Sequence, residues 1–134
     1  MPTPPPDADA VQAVIDRTNA ERRRAGVPPL SIDPQLTLAA EKHAADMARR
    51  NQLSHTLNGR SVADRVRAAG YEYRAVGENI AWNQPTAAEA VGDWMTSSGH
   101  RKNLLNREFT HIGVAVANNS RGEPYWVQVF GRPR

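Results

Sequence analysis

No cysteine occurs in the 134 residues. Disulfides and thiolate metal centres are therefore excluded, although the compartment stays open. Long apolar runs are missing too. No stretch approaches the roughly 20 apolar residues that a membrane-spanning helix needs. Lysine is scarce: of 17 basic residues only Lys42 and Lys102 are not arginine. Aromatics make up 6% of the chain. The basic residues form no stripe interleaved with stacking aromatics, so nucleic acid is not an expected partner. The chain also lacks the Gly-rich nucleotide fingerprints, the serine nucleophile elbow and the HExxH zinc motif. At its start, Met1 is followed by Pro2, Thr3 and Pro4, which is not the basic-then-apolar pattern of an export signal.

The residues present suit one soluble domain. The chain is long enough for a single core, and 40% hydrophobic with 23% charged is ordinary for a globule. The formal net charge of +3 allows mild attraction to an anionic surface such as a cell wall. Residues 1–8, with the Pro-rich 2–6, read as a linker stub or a ragged end, and 9–134 as the domain.

Helical spacing of Val11, Val14, Ile15 and Thr18 predicts a helix from about Asp9 to Ala25, stopped by Gly26 and Pro28-Pro29. Asp33-Pro34 is an N-cap with proline at N1, opening a second helix to about Asn51. Ser61 caps a third, over about Val62 to Ala69. Tyr71 to Trp82 lacks a helical period and reads as strand and loop. Thr86 and Glu89 have capping-box form and open a helix to about Thr96. Ser97 to Asn106 reads as a loop or short helical turn. Ile112, Val114 and Val116 alternate with small residues, and Tyr125 to Phe130 is aromatic and β-branched. With turn chemistry at Asn118 to Glu123, these two runs predict an antiparallel hairpin in the sheet interior. Helices first and strands last favour α+β over a doubly wound sheet.

Four histidines are candidates for chemistry. His43 lies on or beside the apolar face of the second helix, which suits a hydrogen-bonded core histidine. His111 opens a strand and suits the rim or surface. His55 and His100 lie among small polar residues, in Ser54-His55-Thr56 and Ser97-Ser98-Gly99-His100, as residues of an accessible loop site do. Glu78, between Val76 and Ile80, needs a partner if buried and is otherwise an exposed loop carboxylate. Two histidines and a carboxylate distant in sequence can converge on zinc, though no local metal spacing marks them. Trp82, Trp94 and Trp126 are expected to fill the core, each indole N–H finding an acceptor.

An ordered set of segments resembles the CAP superfamily, the sperm-coating-protein-like domains, in its short bacterial form. The set is Asn19-Ala-Glu-Arg22, Gly26-Val-Pro-Pro-Leu30, Ala40-Glu-Lys-His-Ala-Ala-Asp-Met47, Ser54-His55, Asp64-Arg65, Ala69-Gly70-Tyr71 and Gly77-Glu78-Asn79-Ile80-Ala81. It continues with Trp94-Met95, Ser98-Gly99-His100-Arg101, Asn103-Leu104-Leu105-Asn106, His111-Ile-Gly-Val-Ala115 and Tyr125-Trp126-Val127-Gln128. The resemblance implies a three-layer α–β–α sandwich with a central antiparallel sheet. It also implies a cleft lined by two histidines and two glutamates, onto which His55, Glu78 and His100 map. The second glutamate is replaced here by Ser97, which removes a negative charge and weakens both cation attraction and any paired acid/base mechanism.

Three functions compete. The first is an extracytoplasmic binding module for a lipid, peptide or cell-wall ligand, its cleft formed by His55, Glu78, His100 and Ser97. In this reading His55 and His100 hold a weak zinc ion that the fold does not require. The second is a zinc-assisted, peptidase-like hydrolase with Glu78 as orienter or base. The third is a structural envelope-interaction module with a vestigial cleft. Binding ranks ahead of catalysis because no activated nucleophile is legible. A monomer, secreted or associated with the cell envelope, is the expected form.

Overall fold

The computed structural model describes the chain from Pro6 to Arg134. The Pro-rich residues 1–5 lie outside the described residues. The order of elements is α1 (Pro6–Arg24), β1 (Ser31–Ile32), α2 (Pro34–Arg50), α3 (Val62–Ala68), β2 (Tyr73–Trp82), α4 (Ala87–Thr96), α5 (Ser98–Leu104), β3 (His111–Asn118) and β4 (Pro124–Pro133). α1 begins at Pro6, three residues before the expected start.

Local signals set the helix ends. The Asp33 carboxylate accepts from the Leu36 N–H and Pro34 opens α2, while Asn51 closes it in the left-handed region at φ 52°. Ser61 and Asp64 complete a reciprocal capping box on α3. The Thr86 hydroxyl accepts from the Glu89 N–H to start α4.

The sheet order is β1-β3-β4-β2. The β3–β4 hairpin occupies its interior, and β2 pairs antiparallel with β4 as an edge strand. The expected central antiparallel sheet, β2, β4 and β3, carries one short parallel neighbour. The two-residue β1 runs parallel to β3, Ser31 opposite His111 and Ile32 opposite Ile112. So short a strand gives no alternation in sequence, and only the pairing reveals it.

Period-two alternation divides the core into two layers. On one face Ile112, Val114, Trp126 and Phe130 meet Val14 and Ile15 of α1, Ala90, Val91 and Trp94 of α4, and Leu104 of α5. On the other face Ile80, Ala115, Tyr125, Val127 and Val129 meet Leu36, Ala40, Ala44 and Met47 of α2 and Val66 of α3. The result is an α–β–α sandwich. α2 lies against the sheet backbone itself: a Cβ on Gly113 would come within 2.2 Å of the Leu36 carbonyl carbon and the Thr37 nitrogen. Glycine on the strand permits that approach.

Two tryptophans behave as core residues. Trp94 donates to the Ile80 carbonyl at 3.0 Å, and Trp126 to the Gln84 carbonyl at 3.0 Å. Trp82 departs from expectation: at the end of the edge strand it is 44% exposed, and its ring leans on Tyr125. β2 ends there, and the layers no longer cover both faces.

Gly113→Ala is expected to destabilise by more than about 3 kcal/mol, because helix backbone cannot yield to the new methyl group. Trp126→Ala should cost about 3–5 kcal/mol for its lost indole. Urea unfolding checks both. A change under about 1 kcal/mol at Gly113 would show that α2 does not bear on the sheet as described.

Candidate functional site

β2 carries Gly77-Glu78-Asn79-Ile80, and alternation sends Glu78 and Asn79 to opposite faces. Glu78 lies opposite Val129 of β4, on the α2/α3 side, and Asn79 opposite Gln128, on the side of α1, α4 and α5. Both are buried.

The Glu78 carboxylate is 2% exposed and would be costly there without partners. Arg65 of α3, itself 9% exposed, supplies them. Its Nη1 donates to Glu78 Oε2 in a short contact, and its Nη2 donates to Oε1 at 3.1 Å. The same Nη2 donates to the backbone carbonyl of His55. A planar guanidinium makes this fork, and the shorter ammonium point charge of lysine does not.

His55 Nδ1–H donates to Glu78 Oε1 at 2.9 Å. The acceptor has no proton to offer, so the neutral ring carries its hydrogen on Nδ1 and leaves the Nε2 lone pair free. The ring is 56% exposed, so that lone pair belongs to an accessible group. Burial pushes the Glu78 carboxyl up, but hydrogen bonds from His55 and Arg65, together with the Arg65 charge, outweigh it. The group is held below its ordinary value.

Behind this cluster, His43 of α2 is fully buried, and its Nε2–H donates to the Ser54 carbonyl at 2.7 Å. That bond fixes the loop one residue before His55. Burial draws the His43 pKa below the ordinary imidazole value, so the ring is neutral. The expectation of a hydrogen-bonded core histidine holds, and the bond it makes supports the site.

His100 approaches from the other helical layer. It lies in the first turn of α5 rather than in a loop. Its Nδ1 is 3.0 Å from the Ser97 hydroxyl, and its backbone carbonyl accepts from Asn79 Nδ2 at 3.0 Å. Asn103 of α5 donates to the Glu78 carbonyl at 3.2 Å and to Asn79 Oδ1 at 3.1 Å. Asn79 also donates to Gln128 at 3.1 Å, and Gln128 to the Thr18 hydroxyl of α1. This chain of amides ties α5 to β2, β4 and α1. Burial lowers the His100 pKa, and the nearness of His55 lowers it further.

His55, Glu78, His100 and Ser97 thus form two hydrogen-bonded pairs joined through the Glu78-Asn79 segment. Sequence reasoning missed three participants, Arg65, Asn79 and Asn103. The signal for Arg65 was available, since a carboxylate flanked by Val76 and Ile80 calls for a cation. His111 is half-buried at the rim, its Nδ1 3.0 Å from the Tyr71 hydroxyl.

The donor set can be compared with what a cation requires. Both Glu78 oxygens are occupied by Arg65 and His55. The nitrogens left over are Nε2 of His55 and Nε2 of His100. Among the described residues, no group of three or more His, Cys, Asp or Glu side chains comes together to hold a metal ion. By donor chemistry these residues offer a cation two imidazole nitrogens at most, one of them oriented by Glu78, and do not make a three-ligand centre.

Arg65→Met would leave a buried carboxylate without its counter-charge and is expected to cost about 3–5 kcal/mol at pH 7. The pH dependence has a definite sign. Because the Glu78 pKa lies below its unfolded value, its contribution is complete above that value and is lost as pH falls through the folded pKa. Arg65→Met lifts the folded pKa and removes the contribution already at neutral pH. Urea unfolding at pH 7 and pH 4 should show a smaller acid loss in the variant than in the wild type. Equal acid losses would mean that the ion pair does not hold the carboxylate ionised.

With this geometry in view, relatives can be compared. Residues 15–130 match the cysteine-rich secretory protein family, CAP. Bacillus subtilis YkwD, itself uncharacterized, is 42% identical over 118 residues, covering 87% of this chain and 45% of that protein. A Bacillus anthracis extracellular protein containing an SCP domain superposes with TM-score 0.88 at 32% identity, over 98% of this chain and 45% of that one. An outer surface protein of Borrelia burgdorferi superposes with TM-score 0.89 at 20% identity, over 94% of each chain, which speaks to fold alone. This chain spans under half the length of the two Bacillus proteins. Two of these relatives are described as extracellular or outer-surface proteins, and no described helix here is long and apolar enough to cross a membrane. The match covers most of the chain, and the chain belongs to the CAP family.

Proposed function

We propose that this domain is an extracytoplasmic binding module, with His55 and His100 as the ligand-facing groups and a weak divalent cation, zinc by donor chemistry, as one of the species they hold. The observation that carries this reading is the commitment of Glu78. Its oxygens are taken by Arg65 and His55, and it is held ionised. A saturated carboxylate with a depressed pKa is a poor base toward water. What it does well is fix the His55 tautomer and point Nε2 outward.

The hydrolase alternative lacks its parts. Ser97 touches His100 at 3.0 Å, but among the described residues no third group orients that ring. A serine–histidine contact three residues apart at the start of a helix is a local bond more than an activated nucleophile. The missing second carboxylate removes the remaining acid/base pair.

Zinc bound here would serve as a Lewis acid or as a bridge to a ligand donor atom. Two imidazoles give modest affinity, and it falls with acid as the rings protonate. The organic ligand is of lipid, peptide or cell-wall origin, in keeping with the location of the relatives. Export fits the same reading.

Zinc titration by calorimetry tests the site at pH 7. Wild type is expected to bind weakly, and His100→Ala to lose most of the heat. Ser97→Glu should bind about tenfold or more tightly, since it adds a charged oxygen donor. Equal affinity in all three proteins would remove the histidines from the site.

A further inference from the structure

A second polar concavity, of about 300 Å³, opens between α2, α3 and the Leu57–Arg60 turn. Neither His55 nor His100 lines it, but it shares Arg65 with their site. We propose that it binds a small organic anion, a carboxylate or phosphate monoester with a short apolar part.

The walls divide by chemistry. Ala39, Leu57, Ala68 and Ala69 give an apolar floor. Lys42 and Arg60 stand exposed at the rim and make no ion pair among the described residues. One carboxylate also lines the space, Asp46, but Arg49 holds it at 2.7 Å. The unpaired charge on offer is therefore positive.

The second observation is a donor left without an acceptor. Arg65 is nine-tenths buried and lines this concavity. Its Nη atoms are spent on Glu78 and His55, while its Nε–H has no partner. A buried guanidinium N–H left unbonded is expensive, and an anionic oxygen is its best acceptor. An anion held between Lys42 and Arg60 would lie on the side of the concavity that Arg65 lines.

The shape is prepared locally. Asn58 and Gly59 both take positive φ, 58° and 70°, and close a tight turn that bridges Leu57 to Arg60. Asn58 is bonded by Arg50 of α2, which anchors the turn against that helix. Arg60 is thus presented on a rigid turn. The concavity is at the small end of ligand-site volumes, so a fragment such as an amino-acid-sized carboxylate fits and a lipid chain does not.

His43 gives an internal probe, because its ring lines the concavity while Nε2 is bonded elsewhere. Histidine ring signals followed by NMR should shift saturably with propionate or inorganic phosphate, His43 moving and His111 not. The larger response identifies the preferred head group. Propionamide, the neutral analogue, should give no such shift. The double substitution Lys42→Gln and Arg60→Gln should weaken anion affinity about tenfold. His100→Ala should retain the anion response in full while losing the zinc response, which separates the two sites. No His43 shift with either anion, an equal shift with propionamide, or full affinity in the double variant would overturn the proposal. A water molecule on Arg65 Nε would then be the sufficient partner.

Discussion

The ion pair between Glu78 and Arg65 is the constraint on which the candidate site depends. Glu78 is placed on β2 by alternation, facing an apolar layer that includes Val129, Ile80, Val66, Leu36 and Met47. Only a buried cation makes ionisation tolerable there. Arg65 reaches it from α3, and the same guanidinium takes the His55 carbonyl. One side chain therefore neutralises the carboxylate and fixes the loop that carries the histidine. A buried pair of this kind specifies geometry more than it adds stability, which suits a group whose task is to orient a ring.

The remaining polar groups serve the same end from the opposite face. Asn79, Asn103, Gln128 and Thr18 exchange hydrogen bonds through the layer formed by α1, α4 and α5. They tie α5, and with it His100, to the edge strand. Asn103 and Trp94 also take the Glu78 and Ile80 carbonyls of β2, which blunts an edge that would otherwise invite another strand. Arg22 follows the same logic at a distance. Inside the protein it donates to the carbonyls of Pro28, Leu104, Asn106 and Phe109. Burial, with Arg107 nearby, draws its pKa down to about 10, still well above neutrality. In a chain without disulfides, these amide and guanidinium ties fasten the loops between layers.

The site is therefore a product of two layers meeting at one strand. His55 and Arg65 come from the α2/α3 side, His100 and Ser97 from the α4/α5 side, and β2 runs between them. Close approach of α2 to the sheet at Gly113 sets the depth of the first layer, and the Phe109 ring against Gly77 sets the second. A Cβ at Gly77 would lie 2.7 Å from that ring.

Local structure was readable from the residues directly. Asp33-Pro34, Ser61 and Thr86 announce helix starts because capping is a bond between neighbours in the chain. The β3–β4 hairpin was legible from alternation and a turn, and so was the burial of Val114, Val127 and Val129. His55, Glu78 and His100 were legible as candidates through the ordered resemblance to a family, since composition and spacing left each of them with an ordinary alternative. The need of Glu78 for a partner was legible, but which residues meet came from tertiary structure. Arg65 meets Glu78 across 13 residues, Asn79 meets Gln128 across 49, and β1 finds β3 across about 80. Packing also left Trp82 exposed at a strand end and put His100 on a helix. Such pairings depend on the register of strands and the closeness of layers. Those follow from the packing of the whole core, and no local window of residues contains them.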